Sequence, residues 1–448
     1  MKIKLALLGS LSIISFSVLA QNPWTLSDCI DYAHANNIQI KRTELQAEVA
    51  EVNKLQSVTN LFPDLNGRVY RNYGFGRQVD PFTNEMLENN FINDNYSINS
   101  SVALFTGLQN YNNMKSSEYA MLAALQNVEK EKIELTLEIA SAYLQILYQQ
   151  ELLGVAESQQ EVTSLQVERT AKLVEAGSVA RGDLLEIQAQ LANENLNVTN
   201  SQNQLQFSVL NLVQLLDLDS TEGFQIVTPD TVDPSQFDAF SPVAFVYEEA
   251  LAYLPHIKSA EYDLLSNEKA LLVQKGKNYP TLYLSASIYT GYSDQRALYD
   301  AQENPLDYPY NDQFRDNIAQ SVAIGLSIPI FNRWEVHNSV SKARIQVEDS
   351  RYILEQVKLQ LYKNIQQAHN DAVSAREKFK SATEAVNSYR ESFHYTEQKF
   401  NVGLVNSVEY NIGKNNYIKA ESELLQAKYE YVFAVKILDF YRGVPISL

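Results

Sequence analysis

Apolar and small residues step along the chain by threes and fours through Ile139, Ala142, Ile146, Leu153, Ala156, Thr163, Val167, Thr170 and Val174, with Gln149 and Gln160 in the polar places of the register. That spacing keeps one stripe of a helix against its neighbours for many turns, as in coiled coils. About 226 positions later the same phase returns as Ile365, Ala368, Ala372, Ala375, Phe379, Ala382, Val386, Tyr389, Phe393, Thr396 and Phe400. Two registers held in step over such a length predict a duplicated architecture.

Each copy opens with a shorter helical stretch. Leu26, Ile30, Ala33, Ile38, Leu45, Val49, Val52 and Leu55 predict a helix over 24–62, stopped by Pro63; a matching helix over 242–279 stops at Pro280. After each proline the period falls to two. Leu282, Leu284, Ala286 and Ile288 alternate with Thr281, Tyr283, Ser285 and Ser287, so one face is apolar and the other small and polar. Strands are predicted over 64–75 and 95–105 in the first copy and 281–292 and 317–331 in the second. The segments joining them are rich in Asn, Asp, Pro and Tyr, as in external loops. Long helices over 106–176 and 332–402, glycine turns over 177–182 and 403–407, and second helices over 183–216 and 408–442 complete repeat 1 (21–235, ending in a linker) and repeat 2 (236–448).

The lengths have a geometric consequence. A strand of about ten residues crosses a bilayer when tilted, but four strands cannot close a barrel and lipid does not tolerate open sheet edges. Spanning strands therefore require an oligomer, with eight strands from two chains or twelve from three. A long helix of about 71 residues extends about 105 Å, and the two shorter helices of a copy sum to about the same length. Stacked end to end, they give four columns per chain. Twelve columns enclose a lumen of roughly 25 Å; eight leave only about 14 Å.

Composition narrows the setting. Lys2 and Lys4, an apolar run from Leu5 to Val18, and the small Ala20 at the cleavage point before Gln21 predict a signal peptide over 1–20, with the mature chain beginning near Gln21. The single cysteine, Cys29, excludes a disulfide framework within one chain and is expected to be a buried helix residue. A net charge of -18 argues against nucleic acid as a partner. No stretch after the leader reaches the ~20 apolar residues of a spanning helix.

Catalytic patterns are missing from the sequence. His34, His256, His337, His369 and His394 lack metal-ligand spacing, Gly74-Phe75-Gly76 precedes no helix that would make it a phosphate loop, and Glu248-Glu249 reads as a solvated helix face. The expectation is a protein that is not an enzyme and that has no cofactor and no metal site. A filamentous or adhesive coiled-coil surface protein would explain the heptads but would leave the strands and proline junctions without a purpose.

The order helix, proline, hairpin, long helix, glycine turn and helix, given twice behind a leader, resembles the TolC-type outer membrane efflux protein family over the whole mature chain. The residues carrying the resemblance are Lys172-Leu-Val-Glu-Ala-Gly177 through Gly182-Asp183-Leu184-Leu185, Lys399-Phe-Asn-Val-Gly403 through Val408-Glu409-Tyr410, Trp24-Thr-Leu with Ala33 and Asn36-Asn37, and Phe331-Asn332. The fold this implies is mainly α with transmembrane β: as a homotrimer, a 12-stranded β-barrel in outer membrane lipid continued by a long periplasmic α-helical barrel. The implied function is a passive exit duct of a tripartite efflux system, working with a periplasmic adaptor and an inner-membrane pump or ABC exporter. Type I protein secretion is the close alternative.

The resemblance also implies site residues. Asp183 and Glu409 match acidic positions lining the periplasmic constriction, and each also suits a helix N-terminus. The turns Gly177, Ser178, Val179, Ala180, Arg181 and Gly403, Leu404, Val405, Asn406, Ser407 match the tips that meet the adaptor. Phe400 and Val405 stand where the family can carry the Tyr and Arg of a tip latch, a departure from its pattern, although Arg181 is nearby.

Overall fold

The computed structural model describes residues 23–79, 84, 86–87, 90–228, 240–302 and 305–446. The leader expected over 1–20 and the last part of the linker expected at the end of repeat 1, from 229 to 235, lie outside the described residues. The helices of the two copies have equal lengths. The first copy gives α1 Leu26–Asn36, α2 Ile38–Thr59, α3 Gln109–Glu175 and α4 Arg181–Leu215, of 11, 22, 67 and 35 residues. The second gives α5 Val243–Tyr253, α6 Pro255–Gly276, α8 Glu335–Asn401 and α9 Ser407–Tyr441, again of 11, 22, 67 and 35 residues. Between α6 and α8 lies a seven-residue helix, α7 Tyr310–Asp316.

Three expectations need correction. The single helices expected over 24–62 and 242–279 are each broken after eleven residues. In the first copy Asn37 leaves helical geometry, and its side-chain oxygen accepts the backbone N–H groups of Gln39 at 2.9 Å and Ile40 at 3.2 Å, starting α2 afresh. In the second, Leu254 is extended because Pro255 follows it, and the proline opens α6. The strand expected over 317–331 ends at Ser327, just before Ile328-Pro329, where the ladder would lose a donor. Finally, the segments expected to be plain external loops carry α7 and the short pairs β2 Gln78–Val79 with β3 Met86–Leu87 and β6 Leu298–Tyr299 with β7 Pro305–Leu306.

The chain divides into two compact units that cut across both repeats: unit 1 is 1–41, 131–253 and 361–448, and unit 2 is 42–130 and 254–360. Unit 1 is a helical body. Leu26, Cys29 and Ala33 of α1 pack with Ile139, Ile146 and Leu147 of α3, Leu212 of α4 and its C-cap Leu216, and Val432 of α9. A capping box of Thr25 and Asp28 starts α1. Tyr143 donates its hydroxyl proton to the carbonyl of Val227 at 2.6 Å, tying the short Trp24–Ile226 bridge to the core. A second cluster joins Ala368, Ala372 and Ala375 of α8 to Tyr431, Ala434 and Leu438 of α9, with alanines letting the helices approach.

Unit 2 holds the sheet. β1 Asn66–Gly74, β4 Phe91–Phe105, β5 Thr281–Ser293 and β8 Ala319–Ser327 form four antiparallel strands in the order β1-β4-β5-β8, so β1 and β8 are its edges. The pairings Ile98↔Ile288, Val102↔Leu284, Ala286↔Val322 and Leu284↔Ile324 put the aliphatic positions on one face, and Asn99↔Ser287 with Ser285↔Ala323 put small polar ones on the other. Beneath the sheet, Ser116 and Ser266 exchange hydrogen bonds of 3.0 and 2.9 Å between α3 and α6, and Asn267 donates to Ser350 of α8 at 2.7 Å. Gly107 and Gly276 let two backbones touch: a Cβ on either would meet the other's carbonyl oxygen at 2.5 or 2.7 Å. Both long helices are entered through two successive left-handed residues, Gly107-Leu108 and Arg333-Trp334, which turns a strand end into a helix start.

Candidate functional site

The candidate site is the pair of helix reversals in unit 1, α3 to α4 and α8 to α9. At Gly177 and Gly403 the backbone is left-handed, with φ of 72° and 77°. Ser178 N–H reaches Leu173 O at 2.9 Å and Gly177 N–H reaches Val174 O at 3.0 Å; Leu404 to Lys399 O at 2.9 Å and Gly403 to Phe400 O at 3.1 Å repeat the arrangement. These are Schellman closures, in which glycine avoids the Cβ penalty of the left-handed state. A Cβ on either glycine would meet no neighbour within 4 Å, so the constraint is conformational.

The two turns differ in how the returning helix begins. Asn406 caps α9 by accepting Glu409 N–H at 2.9 Å, whereas Ala180 offers α4 no side-chain cap. Asp183 and Glu409 both stand in the first helical turn, the former half-buried and the latter exposed, where their charge meets the positive end of the helix dipole. Arg181, Gly403 and Leu404 are exposed, while Val179, Val405 and Ser407 are half-buried.

Polar links join the hairpins near these turns. Ser407 donates to Glu186 Oε2 at 2.7 Å, joining α9 to α4, and Arg169 of α3 donates to Asn401 of α8 at 2.7 Å. Farther from the turn, Lys414 lies 3.5 Å from Glu194, with both side chains almost wholly buried. Lys414 also donates to Thr163 of α3, and Gln190 donates to Glu194 at 2.7 Å. Burial pushes the Lys414 ammonium below the usual lysine range, with the Glu194 carboxylate opposing that shift. Phe400 packs its ring 4.7 Å from that of Tyr410, whose hydroxyl burial pushes up to about 12.

Sequence reasoning placed Ser407 at a tip but missed Glu186, Glu194 and Lys414. A signal for the buried pair was present. Glu194 falls one heptad after Ile187 and Lys414 one turn after Tyr410, each a charge set into an apolar seam.

Comparison with known proteins brings the fold and the site together. The family described as Outer membrane efflux protein matches residues 29–217 and 246–444, which takes in both copies and both turns. The Escherichia coli Outer membrane protein TolC is 24% identical over 443 residues, covering 96% of this chain and 84% of that one. The Pseudomonas aeruginosa Alkaline protease secretion protein AprF is 26% identical over 391 residues, covering 84% and 76%. Among solved structures, CusC superposes with a TM-score of 0.79 at 17% identity, covering 94% of this chain and 92% of its own. Duplicated helices of equal length, a four-stranded sheet and paired glycine reversals are thus matched along nearly the whole chain, which belongs to the outer membrane efflux protein family.

Proposed function

We propose that the chain is one subunit of a homotrimeric exit channel in the outer membrane of a Gram-negative bacterium, a passive duct through which a tripartite efflux system discharges small molecules. The observation that carries this reading is the sheet of unit 2: Ile98, Ile288, Val322, Ile324 and Leu326 expose an aliphatic face, and β1 and β8 leave two edges. Lipid accepts such a face but not such edges. Three chains pairing edge to edge close twelve strands. Ile38, Leu45, Val49, Val52 and Leu55 of α2 are likewise exposed in the single chain and are read as packing against a neighbouring subunit.

In this reading α3, α4, α8 and α9 continue the duct through the periplasm. The turns at Gly177 and Gly403 meet a periplasmic adaptor, and an inner-membrane pump supplies the energy. Asp183 and Glu409, repeated three times, gather six carboxylates at the entrance. Like charges at a constriction favour cations and give multivalent ions several oxygens to bridge. Asp183→Asn with Glu409→Gln is expected to lower cation selectivity and weaken block by multivalent ions from the periplasmic side; unchanged selectivity and block would reduce both acids to helix-start residues.

The match to a protein named for alkaline protease secretion supports a second reading, a duct for exported polypeptide. Deletion and complementation separate the two. The efflux reading predicts that loss of the gene sensitises the cell to toxic small molecules and leaves secreted proteins unchanged. Loss of a secreted protein with unchanged susceptibility would favour the second.

A further inference from the structure

We propose that α7 folds down onto the lipid-facing side of the sheet and forms an aromatic collar at the outer-leaflet interface. The inference rests on the outer-membrane reading above. Register decides the side: Tyr96 is two residues from Ile98 on β4, and its cross-strand partner Thr290 is two from Ile288 on β5, so Tyr96, Thr290 and Tyr292 share the aliphatic face. The ring contacts of α7 with those residues lie on that face, while Gln313 holds the backbone of Ser293 through two bonds of 3.0 Å. Phe314 meets Tyr96 edge to face with centroids 5.2 Å apart, Tyr310 lies 5.0 Å from Tyr292, and Tyr310 and Tyr96 pair their hydroxyls at 2.5 Å. Thr290 donates to the carbonyl of Phe314 at 2.5 Å. The β5–β8 connection therefore turns outward and back along the sheet, away from the small polar face.

The face is layered. Level with Tyr292, Arg71 clasps Asp94 through two bonds of 2.6 Å; below the rings stand Ile98, Ile288 and Val322. Charged and aromatic groups at one level, with aliphatic side chains beneath, follow the order of interface and acyl chain. Height supports the same occupant. Ile98 to Leu104 runs about 20 Å along β4 and roughly 15 Å vertically at barrel tilt, short of the ~25 Å apolar band that barrels present. Tyr310 and Phe314, each still more than a third exposed, add a layer where the aliphatic run ends. The partner that fits is outer-leaflet lipid at the boundary between acyl chain and headgroup.

The test places single nitroxide labels on full-length trimers in phospholipid vesicles, in a Cys29→Ala background. Asn311→Cys lies on the exposed side of α7, Ile324→Cys on the aliphatic face, and Leu404→Cys at a tip. The expected result is that the label at 311 is open to dissolved oxygen and roughly fivefold less open to a water-soluble nickel chelate than the label at 404, as an interfacial site should be. Chelate access equal to that at 404 puts α7 in water and overturns the collar. Exclusion of both probes means another polypeptide covers α7 and also overturns it. If the label at 324 is itself open to the chelate, the outer-membrane reading falls first and the collar with it.

Discussion

In unit 1, Ile139, Ile146, Leu147, Leu212 and Leu216 are at most 1% exposed, and they form one cluster with α1 and α9. In unit 2, Val322 is 75%, Ile324 70% and Leu326 61% exposed, although the sequence there is no less apolar. The contrast separates two kinds of hydrophobic position. Burial of each side chain in unit 1 is worth about 1.5–3 kcal/mol and is satisfied within the chain. The aliphatic positions of unit 2 gain the same only from something outside the chain, which is why its strands read as transmembrane and its helix stripe on α2 as a subunit contact.

The largest expected effect breaks that contrast directly. Ile324→Lys on a water-exposed face would be nearly silent, but in lipid near the midplane it is expected to cost about 2–4 kcal/mol and to cut the yield of assembled trimer in outer membranes. Ser321→Lys, on the opposite face, is the control and should assemble normally. Comparable, near-normal trimer yields for both would put the aliphatic face in water.

Within unit 1, Lys414→Met is expected to destabilise the protein by about 3–5 kcal/mol because it strands a buried carboxylate, while adding Glu194→Leu should recover most of the loss. Melting of the two variants and the double variant measures the coupling. The pH dependence has a definite sign. The folded-state pKa of Lys414 lies below its ordinary 10.5, so between the two values the unfolded chain binds the extra proton and the native state gains stability as pH rises. Lys414→Met should lose that alkaline gain.

At the turns, Gly177→Val and Gly403→Val place a β-branched residue in left-handed backbone, with an expected cost of about 1–2 kcal/mol each. That is too small to prevent assembly. The expected outcome is normal trimer with lost efflux, read by drug susceptibility; full activity with normal expression would argue that the turns do not meet the adaptor.

The smallest effect concerns Cys29, whose thiol burial pushes up to about 12, with the charge of Asp28 adding to the shift. Maleimide labelling at neutral pH should be slow in native protein and fast after denaturation.

The sequence was most legible where period alone decides structure. The stripe through Ile139 and Ala142 and its echo through Ile365 and Ala368 placed both long helices to within about three residues, because a heptad stripe has no other stable partner than a helix. Breaks at Asn37 and Leu254 were harder to read. Asn37 interrupts no apolar pattern, and its effect arises from its side chain capping the next helix. Pro255 was the clearer signal, since the residue before a proline leaves helical backbone. The helix α7 was not legible because its apolar positions, Tyr310 and Phe314, are too few to show a period. At the turns, glycine marked the reversals, but the buried Lys414 and Glu194 lie on separate hairpins, and no spacing along the chain indicates that they meet.

Single-channel recording from purified trimer in a planar bilayer tests the central claim most directly. The expected result is stable, cation-preferring conductance that falls when multivalent cations are added on the side of the helical tips, with the block relieved in the Asp183→Asn, Glu409→Gln variant. A trimer that inserts in the bilayer without conducting, or a protein that does not insert, would contradict it.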